Sequence, residues 1–156
     1  MTTVVTTPSD REVVVQRSFA APRELVFRAM TEPELLKRWY GPSGWRLVVC
    51  EIDLRVGGEF HFVSERAGGR QVGQRGVYRE LARPERIVHT EWWEDWNPGE
   101  CLATIQLREQ NGYTELTATT LFPSREVRDT VLENGMKKNA DELYARLDEL
   151  LAVPLP

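Results

Sequence analysis

Cysteine and histidine are scarce in this chain, which has two of each among 156 residues. Cys50 and Cys101 are far apart, and neither belongs to the C-x-x-C spacing that is typical of zinc and redox motifs. We expect two buried free thiols, with a disulfide between them as the alternative. A chain of this length can build a stable hydrophobic core without a metal or a disulfide.

An excess of basic residues and a long apolar run are also missing. The chain has 20 Lys and Arg against 24 Asp and Glu, a net charge of −4, and no basic cluster. Because nucleic-acid binding needs a basic surface, we expect no nucleic-acid partner. The apolar runs, such as 13–15 and 47–50, are far shorter than the roughly 20 residues of a membrane-spanning helix. No secretory signal is recognisable, so we expect a cytoplasmic protein without membrane insertion.

The first third of the chain predicts a strand followed by two short helices. Residues 1–10 are rich in threonine and have no periodicity, which predicts a flexible N-terminal tail before a single domain at 11–152. Apolar and polar residues then alternate over 12–19, which predicts a strand. Pro22 and Pro33 are each followed by helically spaced apolar residues, and proline is favoured in the first turn of a helix.

The middle of the chain predicts an antiparallel meander. Strand candidates alternate with turn signals, of which Asn111-Gly112 is the strongest. The connections are too short for crossover helices, so successive strands are expected to pair antiparallel. The candidates cover 45–56, 58–65, 72–81, 86–94, 101–109 and 114–122.

The last part of the chain predicts one long amphipathic helix. Apolar residues recur every three or four positions over 124–152, with Ser124 as the N-cap, and this length corresponds to about 40 Å. Gly135 costs such a helix about 1 kcal/mol relative to alanine, which suggests that another group approaches closely there. The predicted fold is α+β: a curved antiparallel sheet of six to seven strands wraps around the long C-terminal helix and can leave a pocket.

Four segments together resemble a known family. They are FAAPRELVFRAMTEPELLKRWYGP at 19–42, LRVGGEFHF at 54–62, GVYRELARPERIVHTEW at 76–92 and ENGMKKNADELYARLDELL at 133–151. In this order they resemble the START-like superfamily, also called SRPBCC or Bet v 1-like, which has the helix-grip fold. Within it, they are most similar to the activator of heat-shock protein 90 ATPase homologue-like family. Gly135-Met136 departs from the Gly-Trp of many relatives, so a ligand contact of that tryptophan is not carried over.

The resemblance implies three functional hypotheses. The first is a protein that binds a small hydrophobic molecule, lipid-like or aromatic, between the sheet and the last helix. The second is an enzyme similar to polyketide cyclases and aromatases, and the third is a co-chaperone or stress-response partner protein. The resemblance implies no cofactor, and we expect a monomer or a homodimer.

The candidate cavity residues lie on the predicted strands, the second short helix and the last helix. Aromatic and aliphatic members would enclose a ligand, and polar members, together with Arg17, would orient it. Residues 87–94 offer two rows, and either can face inward because each contains a tryptophan. The candidates are Trp39, Phe60, Phe62, Arg75, Tyr78, His89, Glu91, Trp93, Met136 and Leu143.

The sequence offers little catalytic or metal-binding chemistry. No G-x-S-x-G motif is present, so we predict no nucleophile and no catalytic residue. His61 and His89, with Glu59 or Glu91, could form a metal site or an acid–base pair. The alternative is that both histidines are ordinary strand residues with hydrogen-bonded or exposed rings. Because no H-x-H or H-E-x-x-H spacing is present, we predict no metal site.

Overall fold

The computed structural model describes residues 1–41 and 43–156; Pro42, in the predicted turn after the second short helix, lies outside the described residues. Within the described part of the chain, eight strands and four helices form. They are β1 (Val4–Thr6), β2 (Glu12–Phe19), α1 (Arg23–Thr31), α2 (Pro33–Trp39), β3 (Trp45–Ile52), β4 (Glu59–Arg66), β5 (Gln71–Ala82), β6 (Arg86–Trp93), β7 (Cys101–Gln110), β8 (Tyr113–Leu121), α3 (Arg125–Glu133) and α4 (Met136–Leu151).

The strands form one antiparallel sheet in the order β1-β2-β8-β7-β6-β5-β4-β3. The predicted meander is confirmed from β3 to β8, and Asn111-Gly112 forms the tight turn between the paired residues Gln110 and Tyr113. The chain then closes the arrangement by placing β8 beside β2, with Phe19 opposite Thr114. Hence the first predicted strand is internal to the sheet.

The predicted strand number of six to seven is too low, because β1 is an additional short strand. It lies inside the predicted N-terminal tail, where Val5 pairs with Val15. Three residues are too few to show alternation in the sequence. The strand forms because β2 offers it an unpaired backbone edge.

The two short helices begin at the predicted prolines. Pro22 occupies the N-cap of α1, and Pro33 is in the first turn of α2. Trp39 at the end of α2 is buried, and its indole Nε1 donates a hydrogen bond to the carbonyl oxygen of Ala29 at 2.9 Å. This bond fixes α2 against α1 and holds the end of α2 beneath the sheet.

The prediction of one continuous C-terminal helix is wrong. Ser124 caps α3 as predicted, since its hydroxyl accepts from the backbone N–H of Val127 at 3.2 Å, but the helix stops at Asn134. Gly135 has a φ of +87°, a left-handed conformation that ends one helix and precedes the next. A Cβ at this glycine would meet nothing within 4 Å, so the predicted close approach is also wrong. The apolar period continues across the break because α3 and α4 both pack against the same core.

One fully buried part of the core lies between α1, β2, β8 and the second half of α4. Phe19, Val26, Leu116 and Leu147 are completely or almost completely inaccessible there. Cys50 and Cys101 are free thiols; Cys101 is buried, as expected, whereas Cys50 is only partly buried. Within residues 1–41 and 43–156, none of the helices has the length and apolar character to cross a bilayer.

Candidate functional site

A cavity of about 530 Å³ lies between the sheet and the helices that cover it. Strands β2 to β8 form one wall, while α1, α2, the segment after it, α3 and the first half of α4 form the other. Most lining side chains are apolar or aromatic, including Met136, Ala140 and Leu143 from successive turns of α4. The cavity volume is within the usual range for small-molecule sites.

The structure decides which row of β6 faces inward. The inner row contains Ile87, His89, Glu91 and Trp93, and all four line the cavity. Trp92 alternates to the other face of the sheet, since successive strand residues point to opposite sides.

Aromatic rings form a continuous wall along β4 and β5. The ring of Phe60 is 4.9 Å from that of Phe62 and 5.6 Å from that of Tyr78, and Phe62 is in turn 5.3 Å from Tyr40. Phe60 pairs across the strands with Gly76, where a Cβ would lie 2.5 Å from its ring. Glycine at this position therefore makes room for the wall.

A chain of hydrogen bonds crosses the polar part of the cavity. The hydroxyl of Tyr40 donates to Oε1 of Gln74 at 2.7 Å, and Nε2 of Gln74 donates to Oε2 of Glu91 at 3.0 Å. Burial raises the pKa of Tyr40, and the nearby Glu91 carboxylate raises it further. Burial likewise raises the pKa of Tyr78. Both tyrosines are thus neutral hydroxyls at physiological pH.

His89 presents one ring nitrogen as an acceptor. Its Nδ1 is 3.0 Å from the carbonyl oxygen of Thr90, and because a carbonyl only accepts, Nδ1 bears the proton. In the neutral ring, Nε2 is then unprotonated. Nδ1 is 4.0 Å from Oε2 of Glu91, which is too far for a hydrogen bond. The imidazole and the carboxylate are therefore neighbours without a direct bond.

Nine of the ten predicted cavity residues line the cavity, and Arg75 does not. The Arg75 side chain is half exposed, with Nε 3.5 Å from Oε1 of Glu94. On β5, Gln74 points into the cavity, and strand alternation sends the next residue, Arg75, to the outer face. The nine are Trp39, Phe60, Phe62, Tyr78, His89, Glu91, Trp93, Met136 and Leu143.

The other proposed polar partners are also separated from the cavity lining. Arg17 is buried, but its Nη1 donates to Oδ1 of Asp148 on α4 at 3.0 Å. His61 bonds Glu94 through Nε2 at 2.6 Å, so it forms no pair with His89. In the part of the chain that the structure describes, no three acidic, histidine or cysteine side chains are grouped to hold a metal ion.

The polar cavity residues that were not predicted include Tyr40 and Gln74, which form the chain of hydrogen bonds with Glu91. Gln74 lies four residues before Tyr78 on the same strand, so alternation alone could have placed both on one face. Tyr40 directly follows α2 in an irregular segment, where no periodic signal exists. Its position in the cavity depends on the packing of α2 against the sheet.

The architecture, a curved antiparallel sheet and a C-terminal helix with a cavity between them, is that of the START-like, helix-grip class. The family model described as Activator of Hsp90 ATPase homolog 1-like protein matches residues 20–152, and the chain belongs to this family. A search of the curated proteins gives no match.

Solved bacterial structures share the entire fold. A protein from Rhodobacter sphaeroides is 31% identical, with a TM-score of 0.92 over 96% of this chain and 97% of that one. A protein from Nitrosomonas europaea is 29% identical, with a TM-score of 0.84 over 94% and 97%. A third, from Chromobacterium violaceum, is 26% identical, with a TM-score of 0.76 over 92% and 99%. The strand and helix arrangement is therefore shared with these bacterial proteins.

Proposed function

We propose that this protein binds a small, mainly apolar molecule in the cavity between the sheet and α4. The observation that supports the proposal is the cavity itself, about 530 Å³ in volume, with aromatic walls and a few clustered polar groups. This combination is typical of ligand sites, which use apolar surface for affinity and a few polar groups for orientation. Burial of the ligand would contribute roughly 25 cal/mol per Å² of apolar surface removed from water.

Two substitutions on the same helix test this proposal. Ala140 lines the cavity from α4, whereas Ala145 is exposed on the same helix. Pyrene, a neutral aromatic probe with environment-sensitive fluorescence, is titrated into each protein. We expect saturable binding to the wild type and to Ala145→Phe, and at least tenfold weaker binding to Ala140→Phe, because a phenyl ring there occupies ligand space. Absence of saturable binding, or equal binding by both variants, would contradict the proposal.

A second candidate function is acid–base catalysis similar to that of polyketide cyclases. It is favoured by the presence of three proton-exchanging groups, Tyr78, His89 and Glu91, in one cavity. Turnover of an aromatic polyketide precursor that is lost in His89→Gln, while binding of the precursor is retained, would support catalysis. Stoichiometric binding without turnover would favour the binding function alone.

The family description also suggests a chaperone partner, and this hypothesis stays a prediction. Co-purification of a heat-shock ATPase with the tagged protein, together with stimulation of its ATP hydrolysis, would support it. The cavity variant Ala140→Phe would retain that stimulation if the chaperone contacts the outer surface.

A further inference from the structure

We propose that the cavity is selective for apolar molecules with a hydroxyl group, such as alcohols and phenols, and rejects carboxylates of the same size. This inference rests on the proposed binding function and specifies the chemistry of the ligand. Some polar groups of the cavity have their hydrogen-bond donors already engaged, while others have free acceptors. This difference, together with the charge of the cavity, determines the selectivity.

Three donors beside Glu91 and His89 are already used within the protein. The Tyr40 hydroxyl proton is directed to Gln74, one amide hydrogen of Gln74 is directed to Glu91, and the Nδ1 proton of His89 is directed to the Thr90 carbonyl. The chain of hydrogen bonds from Tyr40 to Glu91 also fixes the orientation of the Gln74 amide. These groups cannot turn to a ligand without breaking a bond in a poorly hydrated place.

Two acceptors remain available. Oε1 of Glu91 and Nε2 of His89 have no protein hydrogen-bond partner in residues 1–41 and 43–156, and both side chains are less than one-fifth exposed. A ligand that covers them without offering a donor would strip their remaining water without compensation. The other polar side chains of the lining, Ser64, Tyr78, Thr120, Asn139 and Tyr144, can each both donate and accept, so they do not discriminate between ligands. The indole N–H groups of Trp45 and Trp93 can donate to the oxygen of an alcohol as well as to a carboxylate, so the charge of Glu91 makes the difference between the two.

The charge of the cavity disfavours anions. Among the described lining residues, Glu91 is the one carboxylate, and none is lysine or arginine. Arg17 is bonded to Asp148, and the guanidinium of Arg146 is directed to the backbone carbonyl oxygens of Tyr40 and Gly41. A ligand carboxylate next to Glu91 would therefore face a like charge without a counterion in a region of low dielectric constant.

Three probes with the same ring system test the proposed selectivity. Pyrene, pyrenylmethanol and pyrenecarboxylate are titrated by fluorescence at about pH 8, where an ordinary imidazole is neutral. We expect pyrenylmethanol to bind roughly tenfold or more tightly than pyrene, since a hydrogen bond to a buried charged group has that effect. We expect pyrenecarboxylate to bind at least tenfold more weakly than the alcohol.

A matched pair of variants assigns the selectivity to Glu91. In Glu91→Gln the amide oxygen can still accept from Gln74, so the chain of hydrogen bonds and the side-chain shape are retained while the charge is removed. We expect the carboxylate to gain at least tenfold relative to the alcohol in this variant. Glu94→Gln removes a charge three residues away, at a side chain that bonds His61 outside the cavity lining, and should leave the wild-type preference unchanged.

The outcomes separate this inference from the proposed function. If pyrene binds but the carboxylate binds as well as the alcohol, the selectivity is wrong while the binding function stands. An unchanged preference in Glu91→Gln would overturn the role of that carboxylate. If none of the three probes binds the wild type, the proposed binding function and this inference both fail.

Discussion

The interior of the molecule has a filled end and a hollow end under the same sheet. At the filled end, Phe19, Val26, Leu116 and Leu147 have practically no accessible surface. At the hollow end, the side chains of β4 to β6 and the first half of α4 surround a cavity of about 530 Å³. Both ends use the same apolar stripe of α4, so periodicity in that helix does not distinguish solid packing from a cavity wall.

Tyr144 lies where the two ends meet. Its ring is 5.6 Å from Phe19 in the filled end, and it also lines the cavity. Beyond it, Asp148 bonds Arg17 of β2 and holds the second half of α4 against the sheet. The first half of α4 begins at the break at Gly135 and, among the described residues, has no such bond to β2. Firm attachment at one end thus coexists with open space at the other.

The largest expected effect comes from shortening equivalent leucines at the two ends. Leu147→Ala should lower the free energy of unfolding by about 3 kcal/mol, because it leaves a cavity in close-packed surroundings. Leu143→Ala, one turn earlier on α4, should cost only about 1 kcal/mol, since its side chain already borders open space. Urea denaturation measures both values. Equal losses would mean that the two ends are packed alike.

A smaller effect is expected from breaking the ion pair that anchors α4. Asp148→Asn should lower the free energy of unfolding by about 2 kcal/mol, because the guanidinium of buried Arg17 loses its counterion; the partial exposure of Asp148 moderates the loss. Glu149→Gln, next to it but exposed, should change stability by less than about 0.5 kcal/mol. Thermal unfolding distinguishes the two, and similar melting temperatures would contradict the anchoring role.

The smallest expected effect per residue concerns alkaline pH. Burial raises the pKa of Tyr144 to about 12, and burial also raises the pKa of Tyr40 and Tyr78. An unfolded tyrosine ionises near pH 10, so the stability is complete below that pH and decreases above it as the unfolded state releases protons first. Each tyrosine contributes on the order of 1 kcal/mol per pH unit between about 10 and 11.

Denaturation at several pH values between about 9 and 11 measures this decline. Tyr78→Phe removes one of the three ionising groups and should make the decline shallower. A stability that does not change above pH 10, or an unaltered slope in Tyr78→Phe, would show that the phenol of the hollow end already ionises in the folded protein.

Much of the fold could be predicted from the sequence, because its signals are local. The alternation along each strand, the turn at Asn111-Gly112 and the two helix-starting prolines depend on near neighbours, and all were confirmed. The short strand β1 was missed because its formation depends on the edge of β2. The single C-terminal helix was wrong because the left-handed conformation at Gly135 interrupts the backbone without interrupting the apolar pattern.

Most residues of the candidate site could be named from the sequence, but the hydrogen bonds between its side chains could not. Strand alternation grouped Phe60 with Phe62, and His89 with Glu91, but it did not decide which row of β6 faces inward. The candidates also included Arg75, which the alternation along β5 places on the outer face. Tyr40 and Gln74 were missed, although Gln74 and Tyr78 are an even number of residues apart on β5 and therefore lie on the same face. The connection of Tyr40 through Gln74 to Glu91 joins three different elements, and only their packing brings the atoms together.

The sequence by itself determined the order of the elements, the antiparallel meander and membership in a family, because these depend on local periodicity and on motifs along the chain. The tertiary structure decided which row of β6 faces inward, where the interior is solid and where it is hollow, and which acceptors remain for a ligand. Those properties arise when distant side chains compete for the same space and the same hydrogen bonds, and no local pattern records the outcome of that competition.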